Sequence, residues 1–255
     1  MILEVCVDSY TSIITAKKAG ADRIELCSAL NIGGLTPSYG LMKKAKDLKD
    51  IEVFVMIRPR SGDFLYDDNE FETMKDDIIL AKEMGFQGVV TGVLLSNGKI
   101  DIDRMKELVK IAHPLKVVLH RAFDDAKDPM EDIPKLIEMG ICRILTSGQR
   151  QNALEGANYI GQLQKSFGKY ITIMPGCGVS ANNLEEIYKL TGCTHYHLSG
   201  KVNLGSKMKY RECTERMNTP NSEFIVERAD YNLIKRAREV LDRIELNKEN
   251  IYILK

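Results

Sequence analysis

Residues 1–27 read MILEVCVDSYTSIITAKKAGADRIELC and bring two short runs rich in β-branched residues close together. The first run is Ile2–Val7, the second is Arg23–Leu26, and a turn of small residues at 19–22 precedes the second. Two such runs, joined by a segment long enough for a helix, are typical of a β–α–β unit with parallel strands. This stretch therefore predicts an α/β fold.

The same unit recurs along the whole chain of 255 residues. Its β-branched runs start roughly every 20 to 36 residues, which is the spacing of strand–helix units. The eight runs are Ile2–Val7, Arg23–Leu26, 53–57, Gly88–Thr91, Lys116–Leu119, 143–145, 171–174 and 196–198. Between the runs, apolar residues recur at helical spacing, as at Ile102, Met105 and Leu108.

Eight strand–helix units without a linker rich in Pro, Gly or Ser predict one (β/α)8 TIM barrel, a single domain over residues 1–255. A doubly wound open sheet is the alternative, because the number of strands does not establish that the sheet closes. One connection is unusual. Residues of about 200–228 show no clear periodicity, so we expect a long irregular segment before a final helix at about 230–244.

The composition excludes several classes of partner. Lys and Arg number 36, as do Asp and Glu, so no overall field attracts nucleic acid or an anionic membrane. The N-terminus lacks the basic segment of a signal peptide, and the longest apolar runs are too short to span a bilayer. The six cysteines are scattered without a CxxC pair, so we expect free thiols and a cytoplasmic protein.

Strand alternation predicts a polar barrel interior. The outward side of a barrel strand must be apolar to meet the helices, so every second side chain points inward. This turns Glu4 and Cys6 inward on the first strand, and Arg23, Glu25 and Cys27 inward on the second. The same alternation turns six further polar or sulfur-containing side chains inward: Met56, Arg58, His120, His195, His197 and Ser199.

Such an interior has two interpretations, because barrel cores are ordinarily filled with Val, Ile and Leu and buried charge is costly unless it is paired or used. One is a satisfied salt-bridge network, with Cys6 and Cys27 as inert core thiols. The other is a functional site. Its candidate catalytic residues are Glu25, Glu4, His120 and Arg58.

Loops that follow the predicted strands add polar groups at the same end of the barrel. The loop 174–180 contains two glycines before a helix, where backbone N–H groups can approach an anion, although a tight turn would need the same glycines. The candidate substrate- or anion-binding residues are Arg60, Arg121, Asp124, Ser147, Gly176, Gly178, His197 and Lys201. We expect four cations, Arg58, Arg60, Arg121 and Lys201, to converge near this loop, which favours a bound anion.

Ordered motifs along the chain resemble the CutC family, which is linked to copper homeostasis. The motifs are EVCVDS at 4–9, GADRIELC at 20–27, GGLTPS at 33–38, VMIRPR at 55–60, GDFLY at 62–66, HRAFD at 120–124, LTSG at 145–148 and IMPG at 173–176. The resemblance covers residues 1 to about 211. Two positions depart from the family pattern: Lys201 replaces a typical arginine, and Cys177 replaces a typical third glycine.

The resemblance implies a cytoplasmic (β/α)8 barrel that forms a homo-oligomer and binds Cu(I) at Cys6 and Cys27. Neighbouring strands lie about 4.8 Å apart, so two inward thiols at similar height suit one soft ion, with Met56 as a further soft ligand. Lys201 keeps the positive charge of an arginine but loses bidentate anion binding. The Cβ of Cys177 would crowd an anion at the loop.

Two functions compete on these residues. The first is a Cu(I)-binding copper homeostasis protein, which the resemblance favours. The alternative is a TIM-barrel enzyme that acts on a small anionic or phosphorylated substrate at the C-terminal face of the barrel. In it, Glu25 or Glu4 is the general acid or base, His120 moves protons, and Arg58 and Arg60 hold the anion. An inactive scaffold is a third possibility.

Overall fold

Eight short strands form the centre of the molecule in a computed structural model that describes residues 1–209 and 224–253, with side chains up to residue 248. They are β1 Ile2–Val7, β2 Arg23–Leu26, β3 Glu52–Met56, β4 Gly88–Thr91, β5 Lys116–Leu119, β6 Ile141–Thr146, β7 Thr172–Pro175 and β8 His195–Leu198. All are parallel, in the order β7-β6-β5-β4-β3-β2-β1-β8, and β8 also lies against β7. The predicted TIM barrel is confirmed, and the open doubly wound sheet is excluded.

Helices cover the outside of the barrel. They are α1 Tyr10–Lys18, α2 Tyr39–Ala45, α3 Asp68–Glu83, α4 Ile102–Ala112, α5 Ala122–Asp125, α6 Ile133–Glu138, α7 Ala157–Phe167, α8 Leu184–Thr191 and α9 Tyr231–Ile253. Side-chain oxygens cap the first turns, as where Ser9 accepts from the Ser12 N–H and Asp67 forms a capping box with Glu70. Among the residues described, no helix combines the length and apolar composition needed to cross a membrane.

Two apolar layers follow from the strand alternation. The larger lies between the strands and the helices, where outward residues such as Leu3, Val5 and Ile24 are buried. The smaller lies inside the barrel and consists of Cys6, Cys27, Phe54, Met56, Val90 and Val118. The barrel interior is therefore partly apolar, and Glu25 lies at the level of Cys6 and Phe54 in this cluster.

The connection after β8 differs from the irregular segment expected at about 200–228. Its two ends pair as an antiparallel ribbon of β9 Lys201–Gly205 and β10 Ile225–Ala229, and the part at 210–223 lies outside the described residues. The ribbon packs on α1, where the Ala229 N–H donates to Ser12 Oγ at 3.1 Å. The prediction was wrong here because the alternation of Val202 and Leu204 with polar residues covers only five positions, too few to distinguish a strand from a loop by sequence.

Candidate functional site

A cavity of about 550 Å³ opens where the strands of the barrel end. Its floor is formed by side chains from β1, β2 and β8, and its walls by the loops that follow β3, β5, β7 and β8. The lining residues include Cys6, Glu25, Met56, Arg58, His120, Arg121, Cys177, Gly178, His197 and Lys201. This is the C-terminal face, where TIM-barrel proteins carry their active sites.

Glu4 lies below the cavity floor and is 1% exposed. One carboxylate oxygen accepts from Arg23 Nε at 2.5 Å and from Arg143 Nη1 at 3.0 Å, and the other accepts from His197 Nδ1 at 2.9 Å. Burial alone would raise the pKa of Glu4, but the hydrogen bond from His197 and the charges of Arg143 and Arg23 hold this pKa below its usual range. Glu4 is therefore an ionised anchor for three partners.

Glu4 also determines how the His197 imidazole is oriented. Because Nδ1 donates to Glu4, Nε2 faces the cavity floor and lies 3.5 Å from Glu25 Oε2. Burial would lower the pKa of His197, but the charge of Glu25 and the side-chain contacts with Cys6 and Glu4 raise it well above its ordinary value. The ring thus presents one nitrogen, Nε2, to whatever occupies the floor.

Glu25 is the acid that faces the cavity. Its Oε2 accepts a weak hydrogen bond from the Cys27 thiol at 3.7 Å, and its Oε1 is buried without a partner in the described part of the chain. Burial, opposed by the charge of His197 and reinforced by that of Glu4, raises the pKa of Glu25 to about 7. A carboxyl with this pKa exchanges a proton near neutral pH.

The two thiols lie at different levels. Cys6 is level with Glu25 in the β1–β2 register, so Cys27 lies two residues further along β2, and the expected similar height is wrong. Ligand atoms of Cys6, Glu25 and His197 lie within 4.8 Å of one another, and Cys27 does not join that set. Burial raises the pKa of the Cys27 thiol well above its ordinary value, and the neighbouring charge of Glu25 adds to this effect.

Arg58 forms one wall of the cavity and is 6% exposed. Its Nη1 donates to the carbonyls of Ile32 and Gly34 at 3.0 and 3.1 Å, and its Nη2 donates to the Gly62 carbonyl at 2.7 Å. Its Nε has no hydrogen-bond partner, and no carboxylate of residues 1–209 or 224–248 lies within ion-pair distance. This buried cation is therefore held by backbone carbonyls and by the face of the Phe64 ring, 5.0 Å away.

His120 forms the adjacent part of the wall. Its Nδ1 accepts from the Ala122 N–H at 3.1 Å, so in the neutral ring the proton is on Nε2, which is buried without a partner in the described residues. Burial and the nearby charge of Arg58 lower the pKa of His120 to about 3, so the ring is neutral at pH 7. The Phe64 ring lies against both His120 and Arg58 and holds them side by side.

Two further cations at the rim are already paired with acids. Arg121 Nε donates to Asp124 Oδ2 at 2.9 Å, and Lys201 Nζ donates to Glu227 Oε2 at 2.6 Å. Asp124 also accepts from the backbone and hydroxyl of Ser147. Asp124 and Ser147 therefore fix the loop after β6, and in the described structure neither lines the cavity.

Of the four cations expected to converge near the loop 176–178, three line the cavity. Arg58, Arg121 and Lys201 line the cavity, whereas Arg60 turns outward. The Arg60 guanidinium donates to Glu70 at 2.5 Å and to Asp63 at 3.1 Å, both on the outer side of the loop. The prediction for Arg60 was wrong because a flexible side chain pairs with the nearest acids, which the sequence pattern does not identify.

The loop after β7 contributes backbone groups. Cys177 and Gly178 line the cavity with φ values of 70° and 73°, the left-handed conformation that favours glycine. Gly176 is not among the described residues that line the cavity. A Cβ at this position would lie 2.4 Å from Leu145 Cδ1, so glycine is needed here for close packing. In the described structure, the N–H groups of residues 177–179 donate no hydrogen bond to the chain.

Two further residues of the site, Arg143 and Phe64, were not predicted from the sequence. Arg143 is 4% exposed in β6 and reaches across the barrel to Glu4, and a lone arginine within an apolar strand was the available signal. Phe64 was quoted as part of a motif but given no role. Its position between Arg58 and His120 depends on how two loops fold together, which no local pattern reveals.

Known proteins share both the motifs and the fold. The model of the CutC family matches residues 1–202. A CutC family protein of Pasteurella multocida is 42% identical over 243 residues, covering 95% of this chain and 100% of its own. The human copper homeostasis protein cutC homolog is 46% identical over 216 residues, covering 85% of this chain and 79% of its own.

A solved structure agrees with these sequence comparisons. The crystal structure of CutC from Streptococcus agalactiae is 37% identical, with a TM-score of 0.74, and the alignment covers 77% of this chain and 97% of that one. The family match spans β1 to β8 together with every residue of the cavity floor. The chain belongs to the CutC family of copper homeostasis proteins.

Proposed function

We propose that the chain binds Cu(I) at the cavity floor through Cys6 and Cys27, with His197 Nε2 as a third donor. The observation that supports this proposal is the contact of Glu4 with His197 Nδ1. Metal-binding histidines commonly donate their second ring N–H to a carboxylate, which fixes the ring and aims the other nitrogen at the ion. Here the aimed nitrogen faces Cys6.

The donor types suit a soft monovalent ion. Thiolate and thioether sulfur select Cu(I), and Cys6, Cys27 and Met56 belong to one cluster inside the barrel. Glu25 is the hard donor of the group and is a poor ligand for Cu(I). The buried thiols and the protonated His197 must lose protons before they bind, so we expect copper uptake to release protons.

A competition assay with a colorimetric Cu(I) chelator under reducing conditions tests the proposal. We expect about one Cu(I) per chain, and Cys6→Ser or Cys27→Ser should weaken binding by more than the roughly 10- to 100-fold that loss of a supporting residue costs. Cys193→Ser is the matched control, because Cys193 is buried outside the barrel and its thiol lies 3.6 Å from Gln164. Unchanged affinity of the Cys6→Ser/Cys27→Ser double variant would disprove the proposal.

A second function is favoured by a different observation, the unpartnered Oε1 of Glu25 at the floor of a cavity large enough for a metabolite. A carboxylate in this position suits general acid–base catalysis, in which Glu25 takes a proton from a carbon next to a carbonyl and returns it. Deuterium incorporation into small carbonyl anions in D2O, followed by NMR, tests this function. Glu25→Gln should abolish the incorporation, and equal incorporation by parent and variant would exclude Glu25 as the base.

A cytoplasmic location and self-association remain predictions from the family resemblance. Size measurement in solution over a range of protein concentrations tests the second.

A further inference from the structure

Two side chains on the cavity wall have buried hydrogen-bond donors without an acceptor in the described part of the chain. Within the described residues, Arg58 is a buried cation that donates to three backbone carbonyls, and its Nε has no acceptor. Isolated buried charge is costly, and the paired arginines elsewhere in the barrel each contact a carboxylate. Arg58 therefore lacks the counter-charge that its neighbours have.

His120 supplies a second unused donor on the same wall. Its tautomer is fixed by the Ala122 N–H, so the buried Nε2–H must donate rather than accept. Phe64 contacts both Arg58, at 5.0 Å from its ring, and His120, with ring centroids 4.8 Å apart. The two donors are therefore held next to each other by one aromatic ring.

The loop 177–179 faces the same space. Its three N–H groups donate no hydrogen bond within the described residues, and all three residues line the cavity. Arg121 and Lys201 at the rim are paired with Asp124 and Glu227, so their charges are largely neutralised. The wall therefore holds several donors and one acid, Asp125, which senses the charges of Arg121 and Arg58 but forms an ion pair with neither among the described residues.

We infer that this wall binds a small oxyanion that carries a carbonyl group, with the oxyanion at Arg58 and the carbonyl oxygen at His120 Nε2. The neutral His120 donor beside the Arg58 cation suits a ligand in which a carbonyl oxygen lies close to an anionic group. Such ligands include 2-oxo carboxylates and keto phosphate esters. The inference names the substrate class of the acid–base function and rests on that function for its biological meaning. Binding itself requires neither turnover nor copper.

Two matched pairs of probes test the inference by calorimetry on the full chain with a copper chelator present. Pyruvate and propionate differ by the keto group next to the carboxylate, and dihydroxyacetone phosphate and 3-hydroxypropyl phosphate differ by the keto group of a phosphate ester. Neither propionate nor 3-hydroxypropyl phosphate has an oxygen at the position of the keto group. We expect the carbonyl member of at least one pair to bind about tenfold more tightly, since one buried donor would otherwise stay unpaired. The pair that binds identifies the oxyanion.

Variants separate the two donors. Arg58→Lys should weaken both members of that pair by tenfold or more, because lysine cannot reproduce the guanidinium donors. Arg60→Lys, two residues along the chain, is the matched control. Arg60 pairs with Glu70 and donates to the Asp63 and Leu65 carbonyls of the loop, so this variant should weaken binding much less than Arg58→Lys does. His120→Phe should remove the preference for the carbonyl while retaining affinity for the anion, and it keeps the test valid if Arg58→Lys is unstable.

Three outcomes overturn the inference: no probe binds, Arg60→Lys weakens binding as much as Arg58→Lys does, or His120→Phe keeps the carbonyl preference. Binding without deuterium incorporation would support the inference and count against the acid–base function alone. Loss of Cu(I) binding in Cys27→Ser with intact anion binding would leave the inference standing, because Cys27 does not line the cavity in the described structure.

Discussion

Buried charges below the floor of the cavity are paired with opposite charges, whereas among the described residues the buried charge of Arg58 on the wall has no ion-pair partner. At the floor, Glu4 is surrounded by Arg23, Arg143 and His197, so each charge has a counter-charge within hydrogen-bond distance. On the wall, Arg58 is surrounded by carbonyl groups and a neutral imidazole. The charges of the lower network are paired within the chain, whereas Arg58 on the wall needs a bound anion as its counter-charge.

The largest expected effect is on the lower network. Glu4→Gln should lower the free energy of unfolding by about 3–5 kcal/mol, because it leaves the buried Arg143 without a counter-charge and Arg23 with only the half-exposed Glu52. Equilibrium denaturation measures this loss. Glu52→Gln is the control, since Glu52 pairs with Arg23 and Lys116 at a half-exposed position and should cost less than about 1 kcal/mol. Equal losses for the two variants would mean that the network has no special role in stability.

The next effect concerns the wall and is a change of unfolding free energy with pH. The pKa of His120 is lowered from 6.5 to about 3, so the unfolded chain binds more protons than the folded chain between these values. Stability from the neutral ring is therefore present above pH 6.5 and is lost as the pH falls below it. Between pH 7 and pH 4.5, the parent should lose about 2 kcal/mol more unfolding free energy than His120→Gln. Parallel pH profiles of the two proteins would contradict a buried neutral imidazole.

The smallest effect should have the opposite sign from that of Glu4. Glu25 forms no ion pair with an arginine or lysine in the described structure, and its carboxyl is held in a site that raises its pKa to about 7. Glu25→Gln should therefore leave the free energy of unfolding unchanged or raise it by up to about 1 kcal/mol at pH 7.5, as expected for a residue retained for function. Chemical denaturation with a copper chelator present measures this. A loss of several kcal/mol would assign Glu25 to the structural network instead.

Local patterns predicted much of the floor. Alternation along β1 and β2 was sufficient to turn Glu4, Cys6 and Glu25 inward, because an outward acid would face the apolar surface of a helix. The contact of Glu4 with His197 was beyond reach, since it depends on the β1–β8 register that closes the barrel. The levels of Cys6 and Cys27 likewise follow from the β1–β2 register, which alternation does not specify.

The wall was less predictable than the floor. The sequence identifies Arg58, Arg60 and His120 as loop residues near strand ends, but which donors remain free depends on the folded loops. Arg58 and Arg60 belong to the same motif but have different surroundings. Arg58 points inward to backbone carbonyls, and Arg60 points outward to carboxylates. A linear pattern cannot distinguish these two environments.

The contacts of Glu4 also constrain the order in which the chain folds. A chain synthesised only as far as β5 contains Glu4 and Arg23 but lacks Arg143 and His197. The closing contact spans 193 residues, so the entropy of joining its ends must be lost before the buried carboxylate is fully satisfied. Because the last barrel strand to leave the ribosome completes the partners of the first, an N-terminal half-barrel keeps a carboxylate oxygen unpaired, and barrel closure is cooperative across the whole sheet.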